Sequence, residues 1–149
     1  RLMSRGLGDV YKRQSLNELS AGKKVVLFAV PGAFTPTCSA QHLPGFIERS
    51  KEIKEKGVDL IACVSVNDPF VMKAWGEDRN VGEDVMMLSD GNGEFTAAIG
   101  LEMDGSGFGL GTRSQRYAMI IDDGAVSVLN VEQGPGLDVS SADTVLEQL

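Results

Sequence analysis

Residues 24–30 (KVVLFAV) and 58–66 (VDLIACVSV) are runs in which apolar side chains hardly alternate with polar ones. A strand that is apolar on both faces has to be covered on both, which is the habit of parallel sheets flanked by helices. Parallel neighbours need a crossover of a dozen residues or more, and residues 31–57 supply one. That segment carries the marks of a helix. Thr35 stands at the N-cap position, Pro36 at the first helical position, and Gly57 at the stop. Leu43, Phe46, Ile47 and Ile53 form its apolar stripe. Pro44 falls inside it and should kink it, because the ring displaces the bond to the Ala40 carbonyl.

The rest of the chain alternates in the same way. Ser15-Leu-Asn-Glu18 matches a capping box and predicts a helical turn that Gly22 ends. Asp68-Pro69 opens a helix through Trp75, residues 85–88 read as a short third strand, and residues 93–100 as a short helix. Residues 101–114 are glycine-rich and read as loop. Residues 117–121 and 125–131 flank Asp123-Gly124, a strong hairpin signal. Ser140-Ser-Ala-Asp143 caps a last helix ending at Leu149. A β-α-β unit followed by β-β-α around one sheet is the thioredoxin-like arrangement. The expected fold class is therefore α/β, a central mixed sheet flanked by helices.

Composition narrows the function. Of 149 residues 42% are apolar, enough for a packed core. The net charge of −7 disfavours a nucleic-acid or anionic-membrane binder, which needs a basic face. No window approaches 18 consecutive apolar residues, so no membrane-spanning helix is expected. Two cysteines cannot make a disulfide scaffold. Residues 1–14 carry +3 and oppose the −10 of residues 15–149. They have neither a clear period nor the apolar core of a secretory signal. They are expected to stand outside the fold, as a transit-peptide remnant or, preferably, a leftover of sequence assembly. With no repeat or linker after them, residues 15–149 are expected to form one domain.

Pro31-Gly-Ala-Phe-Thr35-Pro-Thr-Cys38 puts a thiol in the first turn of a helix, straight after a buried strand. Unpaired N–H groups and the positive end of the helix dipole stabilise an anion there, and the thiolate is the nucleophilic form of cysteine. The alternative is a small apolar residue packed beneath the sheet. Cys38 and His42, the chain's single histidine, are four apart on one helix face. They could form a weak metal pair or a Cys–His dyad, and the dyad lacks an identifiable orienting group. The glycine run of residues 105–111 lacks the strand before and the helix after that a dinucleotide fingerprint requires, so it reads as a loop.

Pro31-x-x-x-Thr35-x-x-Cys38, continued as Ser39-x-x-His42-Leu-Pro44-Gly-Phe46, resembles the peroxidatic-cysteine motif of peroxiredoxins, within them the peroxiredoxin-5 or plant type-II group. Ser65-Val-Asn-Asp68-Pro-Phe-Val-Met-Lys-Ala-Trp75, Leu88-Ser-Asp-Gly-Asn-Gly93 and Gly109-Leu-Gly-Thr-Arg113-Ser-Gln-Arg116-Tyr match in order. The resemblance covers roughly residues 16–149. Family members usually begin with a further N-terminal hairpin, and residues 1–14 do not resemble it, so that hairpin is expected to be missing.

The resemblance implies a thiol peroxidase reducing hydrogen peroxide and alkyl hydroperoxides. Cys38 would attack a peroxide oxygen and become a sulfenic acid. Thr35 would cap the helix and contact both thiolate and substrate, Pro31 would shield the sulfur, and Arg116 would steady negative charge, with Arg113 as its rival. The thiol carries the redox chemistry, so no metal, flavin or nicotinamide is required. Cys63 matches the second cysteine of the plant-like members, a possible resolving residue, and is otherwise a core thiol. The animal-type resolving cysteine has no counterpart in Gly136-Leu-Asp-Val-Ser-Ser141. Resolution falls to Cys63 or to glutathione, glutaredoxin or thioredoxin. A reduced structure should leave the two sulfurs unbonded. The resemblance also implies a homodimer, with Phe34 and Phe108 as interface candidates, and no nucleic-acid or membrane partner. It is compatible with a cytoplasmic location, or with chloroplast or mitochondrion if a transit peptide has been lost. A non-enzymatic thiol redox sensor or binding module on the same fold is the alternative function. A disulfide reductase is disfavoured by the absence of Cys-x-x-Cys.

Overall fold

A computed structural model of the chain describes residues 2–5 and 11–149. In chain order it has β1 (Leu2–Arg5), β2 (Tyr11–Gln14), α1 (Leu16–Ser20), β3 (Lys24–Ala29), α2 (Leu43–Glu48), α3 (Ser50–Glu55), β4 (Leu60–Ser65) and α4 (Pro69–Asp78). There follow β5 (Met86–Ser89), α5 (Glu94–Ala98), β6 (Glu102–Asp104), β7 (Thr112–Ser114), β8 (Tyr117–Asp122), β9 (Ala125–Val131) and α6 (Ala142–Gln148).

Seven strands make one sheet in the order β2-β1-β5-β4-β3-β8-β9. The apolar runs become its centre: β3 pairs parallel with β4, and β4 with β5, while β8 joins β3 antiparallel. Period-two alternation then divides their side chains between two layers. Val26, Phe28, Val30, Ile61, Cys63, Ala118 and Ile120 face one layer with Cys38, Leu43, Phe46, Ile53, Trp75 and Val145. Val25, Leu27, Ala62, Val64, Leu88 and Met119 face the other with Leu19 and Leu2. Phe28 and Phe46 stack between sheet and helix, their ring centroids 4.1 Å apart. The thioredoxin-like mixed sheet flanked by helices is thus present.

Short-range signals act where the sequence places them. Ser15 accepts from the Glu18 N–H at 3.1 Å, and Asp68 Oδ1 from the Val71 N–H at 2.9 Å. Each such cap contributes about 1 kcal/mol to its helix. Asp123 (φ 47) and Gly124 (φ 81) form the left-handed pair that the two-residue β8–β9 turn needs.

Three regions differ from expectation. Leu2–Arg5 and Tyr11–Gln14, expected outside the fold, pair antiparallel with each other, and Met3 pairs with Ser89 of β5. A hairpin therefore stands at the sheet edge where none was expected, while residues 1 and 6–10 lie outside the described residues. Ladder pairing uses backbone groups that any sequence carries, and Leu2, 1% exposed, adds an anchor in the core. Residues 101–114, read as loop, contain the two-stranded β6–β7 sheet, whose three-residue strands are too short to leave a periodic pattern. The long crossover helix is broken into segments. Its backbone is helical from residue 36, takes a π turn over Cys38–His42, resumes as α2 and breaks again at Arg49 before α3. The Leu43 N–H reaches back to the Cys38 carbonyl, so the irregularity expected from Pro44 takes the form of a π turn just before it.

Candidate active site

The loop between β3 and the helix is tied to the neighbouring crossover. The Val30 N–H donates to the Val64 carbonyl at 3.1 Å, and Ser65 Oγ to the Val30 carbonyl at 3.0 Å. Asn67 Oδ1, 2.7 Å from Ser65 Oγ, shares that one hydroxyl proton with the Val30 carbonyl and accepts from the Ala33 N–H at 3.0 Å. Arg113 spans the same region, donating from Nη1 to the Val66 carbonyl and from Nε to the Leu110 carbonyl, both at 2.8 Å. A methyl group at Gly32 would come within 3.1 Å of Thr35 Cγ2, so this turn is built around a glycine. Phe34 holds φ at 63°, in the left-handed region that a non-glycine residue enters only under tertiary constraint.

Thr35 and Pro31 flank that loop. Thr35 Oγ1 donates to the Gly32 carbonyl at 2.6 Å instead of capping the helix, while the Thr35 carbonyl accepts from the Ser39 N–H at 2.9 Å. That bond orients the hydroxyl toward the loop, and its oxygen accepts from no helix N–H; the expected side-chain cap is not made. Pro31 is half-buried at the end of β3. Behind the π turn, Trp75 Nε1 donates to Ser39 Oγ at 3.0 Å and fixes the Cys38 turn against α4.

Cys38 is 1% exposed. Arg116, immediately before β8, brings Nη2 to 3.2 Å from Cys38 Sγ. Its other terminal nitrogen, Nη1, lies 2.9 Å from His42 Nδ1. His42 Nε2 is in turn 2.9 Å from the Ser140 carbonyl oxygen, which can only accept. The proton of the imidazole therefore sits on Nε2, and Nδ1 accepts from the guanidinium. Burial first, and the Arg116 charge second, push the His42 pKa down from 6.5 to about 3, so the ring is neutral at physiological pH. The sequence offered His42 as a metal ligand or a base; it lies instead as the acceptor that holds an arginine. Among the described residues, no group of three His, Cys, Asp or Glu side chains is placed to hold a metal ion.

Ser140 is itself gathered by Glu132. The Ser140 N–H at 2.8 Å, the Ser140 hydroxyl at 2.6 Å and the Asp138 N–H at 2.8 Å all donate to Glu132 Oε2. Burial works against the charge on Glu132, but these hydrogen bonds outweigh it and hold the carboxyl below its usual range. Neither Glu132 nor Ser140 carries a signal that the sequence alone could single out, beyond the helix-capping pattern that Ser141 fulfils.

Cys63 lies in mid-strand, paired in register with Phe28 and Met87, and is fully buried. Burial pushes its thiol pKa up; Cys38 adds to the shift and Arg116 opposes it. Both cysteines are free thiols. Of the sequence-selected residues, then, the structure joins Cys38 directly to Arg116, keeps Thr35 and Pro31 on the adjoining loop, engages Arg113 with backbone carbonyls, and sets Cys63 in the sheet.

The arrangement has counterparts among known proteins. Residues 8–146 match the Redoxin family. The chain is 60% identical over 141 residues to peroxiredoxin-2E-2, chloroplastic, of Oryza sativa subsp. japonica, covering 93% of this chain and 63% of that protein. It is 55% identical to peroxiredoxin-2B of Arabidopsis thaliana, covering 95% and 87%. Against peroxiredoxin-2E, chloroplastic, of Arabidopsis thaliana it spans 61% of that protein's length. A crystal structure of reduced Prx3 from Vibrio vulnificus in complex with hydrogen peroxide superposes with a TM-score of 0.91 at 59% identity, covering 99% of this chain and 93% of that one. Sequence motif, fold and relatives agree that the chain belongs to the redoxin family, among its peroxiredoxins of the peroxiredoxin-5 and plant type-II group.

Proposed function

We propose that the chain is a thiol peroxidase whose peroxidatic residue is Cys38. The observation that carries this reading is the Arg116 Nη2–Cys38 Sγ contact of 3.2 Å, made where water is excluded. A fixed guanidinium there favours negative charge on sulfur and on an oxygen leaving it. In the first step the thiolate attacks one peroxide oxygen. The S–O bond forms, the O–O bond breaks, and the departing hydroxide or alkoxide takes a proton to leave as water or alcohol. The sulfur is oxidised by two electrons to sulfenic acid while the peroxide is reduced. Thr35 would act as acceptor for the peroxide hydrogen, because its own proton is engaged by Gly32. Pro31 would shield the sulfur from bulk water.

Re-reduction needs two thiols: the first displaces water from the sulfenic acid to form a mixed disulfide, and the second releases the Cys38 thiol. We assign this step to an external thiol, glutathione with glutaredoxin or thioredoxin, because Cys63 is a buried protonated thiol locked into the sheet. Phe34, 50% exposed, and Phe108, 87% exposed, are the apolar rings offered for pairing with a second copy of the chain. Peroxide consumption with a thiol donor tests the whole reading. Unmutated protein should turn over and Cys38→Ser should not. A protein that oxidises once at Cys38 without turnover is a redox sensor, and activity surviving in Cys38→Ser removes the assignment.

A further inference from the structure

We propose that Glu132 is a positioning residue for the Cys38–Arg116 pair, acting through the Ser140 carbonyl and His42. The inference rests on the proposed roles of Cys38 and Arg116. Arg116 keeps its guanidinium against the sulfur only while Nη1 has an acceptor, and that acceptor is His42 Nδ1. His42 lies among apolar rings, with Phe28 at 4.9 Å and Phe46 at 5.6 Å between centroids. Its polar partners are Arg116 on one side and the Ser140 carbonyl on the other. That carbonyl chooses the tautomer. Without it, a flipped ring or a proton on Nδ1 would turn an N–H toward the guanidinium N–H groups, and Arg116 would lose its acceptor.

Ser140 itself sits at the end of a loop whose residues 133–136 are exposed. What holds its carbonyl in place is Glu132. The Glu132 N–H donates to the Arg116 carbonyl at 3.0 Å, so this residue stands beside the arginine in the extended β8–β9 ladder. Its carboxylate then folds the returning loop onto the same spot. Three donors from Asp138 and Ser140 meet on one oxygen, Oε2. One side chain thus fixes the backbone beside Arg116 and the carbonyl that orients the partner of Arg116.

The test is single-turnover oxidation of reduced protein by hydrogen peroxide, read with the pH profile of iodoacetamide alkylation at Cys38. Glu132→Ala should lower the second-order rate constant about tenfold to a hundredfold, as expected when a charge-bearing group is displaced by about an ångström. It should also move alkylation to higher pH. Glu132→Gln should restore most of the rate, because its carbonyl oxygen can take the place of Oε2. In a His42→Phe background, Glu132→Ala should have no further effect. An unchanged rate and profile in Glu132→Ala, a Glu132→Gln as slow as Glu132→Ala, or full additivity with His42→Phe would each overturn the proposal. If Glu132→Ala does not fold, Ser140→Ala removes one of the three bonds and keeps the carbonyl; a slower reaction sustains the proposal and an unchanged one ends it. Arg116→Ala separates the levels. If it too leaves the rate unchanged, the reading of the site fails; if it slows the reaction while Glu132→Ala does not, only the link to Glu132 fails.

Discussion

The two cysteines share one apolar layer, and both are buried and free. They differ in what touches the sulfur and in what holds the backbone. Cys63 belongs to a central strand, with a ladder partner on each side, and burial dominates its thiol. Cys38 sits in a π turn after a strained loop, with a guanidinium at 3.2 Å. Burial by itself favours the neutral thiol; it takes a fixed, desolvated cation to favour the anion. The backbones differ in the same sense. The π turn holds Cys38 outside any strand ladder, whereas freeing Cys63 would break the middle of the sheet.

Removing the cation should erase most of that difference. Arg116→Ala should slow the peroxide step by about a hundredfold to a thousandfold, the usual cost of losing one preorganised charge-stabilising donor. Alkylation of Cys38 should shift to higher pH. Arg116→Lys should recover only part of the rate, because one ammonium cannot serve both Cys38 Sγ and His42 Nδ1. A normal rate in Arg116→Ala would move the role to Arg113 or to the helix terminus alone. Stopped-flow fluorescence from Trp75, which is hydrogen-bonded to the turn carrying Cys38, provides the signal.

The same contrast explains what could be read from the sequence. Unbroken apolar runs announce buried parallel strands, and a strand–loop–helix junction announces the setting of Cys38, because both signals are local. Arg116 lies 78 positions from Cys38 and only a family motif points to it. The His42–Ser140 bond joins residues 98 apart, and nothing local distinguishes that carbonyl from any other. Thr35 is legible as a helix-start residue, but its hydroxyl is turned toward the Gly32 carbonyl, a partner that only the folded turn creates. The β1–β2 pair leaves no legible pattern because it contributes backbone bonds to an edge and only a small part of the core.

Acid should weaken the Cys38 side of the molecule before it reaches Cys63. In the unfolded chain His42 takes up a proton near its ordinary pKa of 6.5, whereas in the folded protein it does so only near 3. The unfolded state therefore binds more protons between these values. The stability contributed by the neutral ring is fully present above 6.5 and is lost progressively as pH falls toward 3. The slope approaches about 1.4 kcal/mol per pH unit below 6.5, so a fall from about pH 7.5 to pH 5 should cost about 2 kcal/mol. Urea unfolding at the two pH values, compared with His42→Phe, checks this. The variant should show a much smaller pH effect, and an equal decline in both would place the titration elsewhere. In the folded protein the ring stays neutral until pH approaches 3, so the peroxide step should lose nothing through His42 above about pH 5. It should fall only near pH 3, where an imidazolium could no longer accept from Arg116.

The smallest effect should come from Cys63 itself. Cys63→Ala removes one sulfur from a packed layer, roughly the burial of a single methylene-sized group, and should cost about 1 kcal/mol of stability. Oxidation of Cys38 by peroxide should proceed at the unmutated rate, because Cys63 donates nothing to the reacting sulfur or to Arg116. The informative measurement is the fate of the sulfenic acid. Intact-mass spectrometry after one equivalent of peroxide, with glutathione present, should show a glutathione adduct on Cys38 in both proteins. An intramolecular disulfide in the unmutated protein would mean that the Cys38 turn unwinds toward the sheet rather than away from it, bringing the two Cα atoms to within about 7 Å. Turnover with glutathione would then collapse in Cys63→Ala, and the division of labour between the two thiols would have to be redrawn as a partnership.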